Sequence, residues 1–504
     1  MQLLRKKSVE QSIRETEEPE HQLRKSLGPI DLIVFGIGVI IGTGIFVLTG
    51  VAAATKAGPA ISISFVIAGI ACGLAALCYA EFASSIPVAG SAYTFSYASL
   101  GELIAWIIGW DLVLEFMVGA AAVSIGWSQY FQAVLHSLGL GLPVTIAGGG
   151  AHGAILDLPA AMIVLILTAI LVLGIRLSSR FNLVVTSIKL GVLAFFIIIG
   201  IFYIKVANWQ PFIPPAQPVP GNNSILQTPL FQVLTGAPQT IYGWAGIFSG
   251  AATVFFAYIG FDVVATTAEE TKNPQRNMPI GIIGSLLVCT VLYMIVSLVL
   301  TGMVPYRVLN TAAPMALAFA AIGLPWAASL VSLGAICGLT AVTMILMLGQ
   351  SRVFFAMSRD HLLPAWFSEV HPKFRTPYRI SITTGIVIAA IAAFTPIDAV
   401  AELVNIGTLL AFVLVSVGVL VLRRTQPDMR RAFRTPWVPV VPILAVLTCF
   451  YLMLNLPVIT WIRFIVWLVL GIAIYFAYGI RHSRLAEEEI LAIGEQAIPD
   501  ESHA

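Results

Sequence analysis

The sequence predicts an all-α polytopic membrane protein with twelve transmembrane helices, two of them broken at mid-membrane. Three observations carry this prediction. Of the 504 residues, 58% are hydrophobic and only 10% charged, whereas soluble domains carry about 25% charged residues. Apolar runs long enough to cross a hydrocarbon core of about 30 Å recur twelve times. Finally, glycine interrupts two of these runs where a helix would lie deepest in lipid, at Gly42-Thr43-Gly44 in the first run and at Gly260 in the sixth.

The spans lie near 30–54, 59–86, 100–134, 156–176, 180–206 and 240–269, then 279–304, 322–358, 379–395, 398–422, 437–456 and 460–480. At about 1.5 Å per residue the eighth exceeds one crossing, so it is expected to project beyond the bilayer. The chain divides into a polar tail (1–27), a first five-span unit (28–206), a loop (207–239), a second five-span unit (240–423), two further spans (437–480) and a second tail (481–504). The first tail has no cleavage site and does not read as a signal peptide.

Basic residues set the expected orientation. With the N-terminus inside, 21 of the 27 Lys and Arg residues fall on the inner side and four (Lys56, Lys205, Arg307, Arg463) on the outer. This bias matches an even number of spans with both termini in the cytoplasm of a plasma-membrane protein. The remaining two, Lys189 and Arg352, lie within apolar runs. Arg352 is near an inner end, where its stem can reach headgroups.

Residues 87–100 are uncharged and rich in Ser, Tyr and Phe, which predicts a short interfacial helix on the inner face. The Pro-rich loop 207–239 is expected outside. Its Asn222-Asn223-Ser224 matches a glycosylation acceptor only as a common tripeptide. All five cysteines fall in apolar runs without metal-ligand spacing, so no metal or cofactor is expected.

The breaks carry the functional reading. Glycine is a poor helix former, and an unwound turn in lipid exposes N–H and C=O groups that cost several kcal/mol each unless something binds them. Taken alone, Gly38 and Gly42 read as the small-xxx-small pattern of close helix packing. Two breaks, each in the first span of a five-span unit, read differently. Units with an odd number of spans have opposite topology, and matched broken helices in inverted halves mark a transporter's binding site. N–H groups at the start of a half-helix attract an anion, while freed carbonyls attract a cation. An α-amino acid bears both charges on one carbon.

Gly42-Thr43-Gly44-Ile45-Phe46 resembles the G-[ST]-G-I-F motif of the amino acid–polyamine–organocation superfamily. Gly90-Ser91-Ala92-Tyr93-Thr94-Phe95-Ser96-Tyr97 and Phe256-Ala257-Tyr258-Ile259-Gly260-Phe261-Asp262, continuing to Asn273-Pro274-Gln275-Arg276, are similar to its cationic amino acid transporter branch. The resemblance covers about 30–480. It implies a five-plus-five inverted repeat with two extra C-terminal helices, alternating access and an L-amino acid substrate. It further implies that Thr43, Gly44 and Ile45 offer backbone N–H groups to the carboxylate. Ile40 and the carbonyls of Phe255, Phe256 and Tyr258 would take the ammonium, with Phe255 or Phe256 as a lid.

Lys189 lies about 13 Å into span 5, near the bilayer centre. An intramembrane ammonium is costly and marks function by default, and burial penalises its charged form, which suits a proton carrier. Proton-coupled members of the superfamily place a lysine on this helix, so the resemblance implies proton coupling. The other reading of Lys189 is a static ion pair. Candidate partners are Asp111 and Glu115, one turn apart on span 3; Glu115 would either pair with Lys189 or receive a cationic substrate side chain. Glu81 and Asp262, nearer the inner ends, are expected to gate or to pair with basic residues.

No Walker A, H-E-x-x-H or G-x-S-x-G sequence is present, so an enzyme or ATP-driven pump has no visible chemistry. The reading is a secondary transporter for proton-coupled amino acid uptake, with an exchanger or a sodium-coupled permease as the alternatives. Its partners are an L-amino acid, protons and membrane lipid, not nucleic acid. No residue identifies a small accessory membrane protein.

Overall fold

The computed structural model describes residues 25–86, 92–148, 154–174, 179–219, 224–374, 376–429 and 431–484. Most of both tails, Gly90 and Ser91, and the Asn222-Asn223 acceptor lie outside them. Among the described residues, eight helices are long and apolar enough to cross a membrane. Four shorter apolar helices, Pro29–Ile40, Leu158–Val172, Tyr378–Phe394 and Val440–Leu454, complete the set. These account for every predicted span. Span 8 is a single 35-residue helix, Pro325–Arg359, about 50 Å long and so longer than one crossing.

The two five-span units pack by correspondence. Span 2 (Ile61–Ser85) runs along span 7 (Pro274–Met303), span 3 (Glu102–Ser137) along span 8, and span 4 along span 9. Close approaches on spans 3 and 8 pair Gly109 with Met357, Phe116 with Gly349, Gly119 with Leu346 and Trp127 with Thr340. One number rises as the other falls, so corresponding helices are antiparallel, as inverted halves require. Spans 11 and 12 are peripheral. Span 12 is anchored to span 3 by Trp106 and Trp110, whose indole N–H groups donate to the Gly471 and Trp467 carbonyls at 2.8 and 2.9 Å.

Polar contacts tie several span ends together. Leu27 N–H donates to Glu270 O at 3.0 Å and Lys272 N–H donates to Leu27 O at 2.8 Å, so the start of span 1 is bridged to the end of span 6. Arg352 pairs with Glu270 at 3.2 Å, joining span 8 to the same point. Glu81 is buried on span 2 and accepts from Arg423 at 2.8 and 2.9 Å and from the Thr435 N–H at 2.8 Å. Arg431 faces it at 3.3 Å with its side chain only 3% exposed. Removing one partner of such a buried pair strands the other charge. Glu81→Ala is therefore expected to destabilise the fold by about 3–5 kcal/mol, read as a lower unfolding midpoint in detergent that Arg431→Met partly restores.

One expectation about the loops changes. The helix after span 2 exists, at Ala92–Ser99, but most of its described side chains are buried against other spans. Phe95 is fully buried and stacks on Phe82 with ring centroids 5.3 Å apart, and Tyr93 donates to Asp360 at 2.6 Å. Its aromatic side chains find more apolar contact between spans 2, 3 and 10 than a headgroup layer offers.

Candidate substrate and coupling site

Span 1 stops being helical at Ile40. Ile41 is extended (φ −73°, ψ 96°) and the chain resumes as a π-turn at Gly44–Leu48. Phe46 is the first residue of the second half whose N–H reaches a carbonyl of the turn, Gly42 O at 3.4 Å. The Thr43 hydroxyl is fully buried and has no hydrogen-bond partner among the described residues. Thr43, Gly44 and Ile45 thus stand at the start of a half-helix, where N–H groups and the helix dipole favour an anion.

Span 6 breaks at the matching place. The helix Gly243–Val254 tightens into a 3-10 turn at Phe255–Tyr258, Ile259 is extended, and Gly260 takes φ +116° before Phe261–Ala265. Only glycine adopts that angle without strain. The two breaks touch: a Cβ on Gly44 would lie 2.3 Å from Ala257 Cα, and one on Gly260 would lie 2.6 Å from Val39 Cγ1. Asn405 on span 10 donates to the Ala252 carbonyl at 2.8 Å, satisfying a carbonyl near the end of the first half of span 6.

Two of the carbonyls singled out in the sequence are already engaged. The Phe256 carbonyl accepts from Ile259 N–H at 3.3 Å and the Ile40 carbonyl from the Tyr293 hydroxyl at 2.8 Å. Tyr258 turns its hydroxyl away from the break, onto Phe65 O at 2.7 Å. Phe255 is fully buried, its ring edge-on to Phe412 at 5.7 Å. Phe256 is 6% exposed.

Lys189 is buried and reaches span 1, not span 3. Its ammonium donates to the Gly38 carbonyl and, at 3.3 Å, to Ile41 O. These are carbonyls freed at the C-terminal end of the half-helix Pro29–Ile40, the negative end of its dipole. Gly338 on span 8 makes room for the stem, since a Cβ there would lie 2.5 Å from Lys189 Cγ and Cδ.

Neither Glu115 nor Asp111 pairs with Lys189. Both carboxylates are fully buried, and no donor among the described residues reaches their oxygens. The Thr408 hydroxyl beside Glu115 donates instead to Val404 O at 3.0 Å. Asp262 and Asp111 lie close enough to Glu115 to act on it electrostatically, so these carboxyls form an acidic group between spans 3, 6 and 10, separate from the lysine. Side-chain patterns could not have disclosed the lysine's partners, which are backbone carbonyls. Tyr293 and Asn405 were missed for the same reason, since each donates to a backbone carbonyl of a distant span.

Residues 27–475 match the family model described as amino acid permease. The chain is 49% identical to the branched-chain amino acid permease BcaP of Bacillus subtilis and 47% identical to the methylthioribose transporter of the same organism. Each alignment covers 96% of this chain and 99% of the relative. It is 40% identical to cationic amino acid transporter 4, vacuolar, of Arabidopsis thaliana, over 84% of this chain and 68% of that one. With the broken, inverted helices and the matched family model, the chain belongs to the amino acid permease family: it is a multi-pass membrane transporter and not an enzyme.

Proposed function

We propose that this transporter takes up L-α-amino acids together with protons across the cell membrane, by alternating access, with both termini in the cytoplasm. The observation that carries the reading is the meeting of the two breaks at Gly44 and Ala257, which sets an anion-seeking helix start beside cation-seeking carbonyls. The substrate carboxylate lies on the N–H groups of Thr43, Gly44 and Ile45. Its ammonium lies among the carbonyls of Ile40 and of the turn in span 6, in the region of Phe255, Phe256 and Tyr258. Orientation is supported by the 21 basic residues expected inside against four outside.

Lys189 supplies the coupling. When protonated it holds the Gly38 and Ile41 carbonyls and so fixes the first half of span 1; when neutral it gives up most of that hold, and the half-helix is free to swing. Neutral branched substrates come first among candidates because relatives named for branched-chain amino acids are among the most similar. Glu115 is the residue that would receive a cationic side chain.

The methylthioribose transporter supplies a rival substrate at almost the same identity, but that sugar lacks the carboxylate and ammonium to which the breaks are suited. In proteoliposomes, labelled L-leucine should enter saturably when the lumen is made more alkaline, with competition by unlabelled L-amino acids. Saturable uptake of methylthioribose that no amino acid competes with would overturn the substrate; sodium-dependent, pH-indifferent uptake would overturn the coupling.

A further inference from the structure

One side chain joins the two breaks. Tyr293, on span 7, is fully buried, and its hydroxyl oxygen lies 2.8 Å from the Ile40 carbonyl oxygen and 2.9 Å from that of Ala257. Its ring is wedged against Phe65 and Tyr258, with centroids 5.5 and 5.4 Å away, so packing fixes where the hydroxyl points. A phenol has a single hydrogen. It can serve one of the two carbonyls at a time, and the other is left aimed at the same spot short of a donor. A buried acceptor without a donor is costly, and an ammonium, with three N–H groups, is the kind of ligand that relieves it.

We propose that Tyr293 is the positioning residue for the ammonium half of the substrate site. Its hydroxyl holds the Ile40 and Ala257 carbonyls on a common point and yields one of them to the incoming ammonium. The proton of the phenol stays on its oxygen throughout; only the acceptor changes. In this arrangement the Ala257 carbonyl, between the Phe256 and Tyr258 carbonyls, is the one from span 6 that counts. The inference rests on the amino acid reading above.

The test separates the two. Inhibition of labelled leucine exchange in proteoliposomes is measured with L-leucine and with 4-methylpentanoate, which keeps the side chain and carboxylate but lacks the amine. Wild-type protein should prefer leucine by at least about 100-fold, an ammonium making several charge-assisted hydrogen bonds. Tyr293→Phe keeps the ring and its packing. It should weaken leucine about tenfold, the equivalent of one hydrogen bond to a charged group lost when the carbonyls are no longer held on a common point, while 4-methylpentanoate changes by less than about twofold. An unchanged preference in Tyr293→Phe, or equal weakening of both ligands, overturns the role of Tyr293 while leaving the amino acid reading in place. No preference for the amine in wild-type protein overturns both. Wild-type protein also answers without the variant. The N,N,N-trimethyl derivative of leucine has the charge but no N–H, and should bind no better than 4-methylpentanoate; binding as tight as leucine overturns the proposal.

Discussion

Gly44→Ala is expected to abolish amino acid binding and transport while the helices still insert and assemble. The added methyl would sit 2.3 Å from Ala257 Cα and 2.8 Å from its nitrogen, and these are backbone atoms that no rotamer change can move aside. Relieving the clash means pushing the breaks of spans 1 and 6 apart, and overpacking of this kind costs roughly 1–3 kcal/mol even where neighbours can adjust. The displacement falls on the N–H groups proposed for the carboxylate, where misplacement by an ångström suffices to lose a hydrogen bond. Purified Gly44→Ala should elute as a single species yet show no leucine-induced rise in unfolding temperature and less than about one-hundredth of wild-type exchange. Wild-type exchange in this variant would show that the contact between the breaks is dispensable. Gly338 makes an informative contrast. A methyl there meets the flexible stem of Lys189, so binding should persist and only coupling should suffer.

The sequence disclosed the parts of this architecture that obey one-dimensional rules. Span lengths follow from bilayer thickness, and both breaks follow from glycine at a depth where a helix has no reason to stop. The antiparallel pairing of spans 2 with 7 and 3 with 8 was implicit in five-span units of opposite topology. What stayed hidden depends on contacts between residues far apart in the chain and made to backbone. Lys189 suggested a carboxylate partner because charge seeks charge, yet the end of a broken helix offers a ready set of carbonyls, and Gly38 and Ile41 are 151 and 148 residues away. Tyr293 is one of many aromatic residues in apolar helices, and nothing local marks it as reaching Ile40. Ala92–Ser99 was legible as a helix but not as a buried one, because its aromatic content suits an interface and a core equally.

Lys189→Ala is expected to separate coupling from binding. Carrying one proton with each amino acid turns one unit of pH difference, about 1.4 kcal/mol, into an accumulation of about tenfold. Wild-type proteoliposomes with an alkaline lumen should approach that ratio, and Lys189→Ala should stay near one while still exchanging preloaded leucine. Alanine alone would not distinguish a proton carrier from a static clamp, since it removes charge and hydrogen bonds together. Lys189→Arg does so: a guanidinium can still donate to the Gly38 and Ile41 carbonyls, but it stays charged at any accessible pH. If Lys189 works by losing its proton, Lys189→Arg binds leucine and fails to accumulate it. If the lysine merely locks span 5 to the half-helix, arginine restores accumulation and the coupling role is lost. The reason to expect the first result is that no carboxylate among the described residues pairs with Lys189. A lysine paired with Glu115 would hold its proton against that counter-charge, whereas one held only by carbonyl dipoles at the end of Pro29–Ile40 gives up less electrostatic stabilisation when it turns neutral.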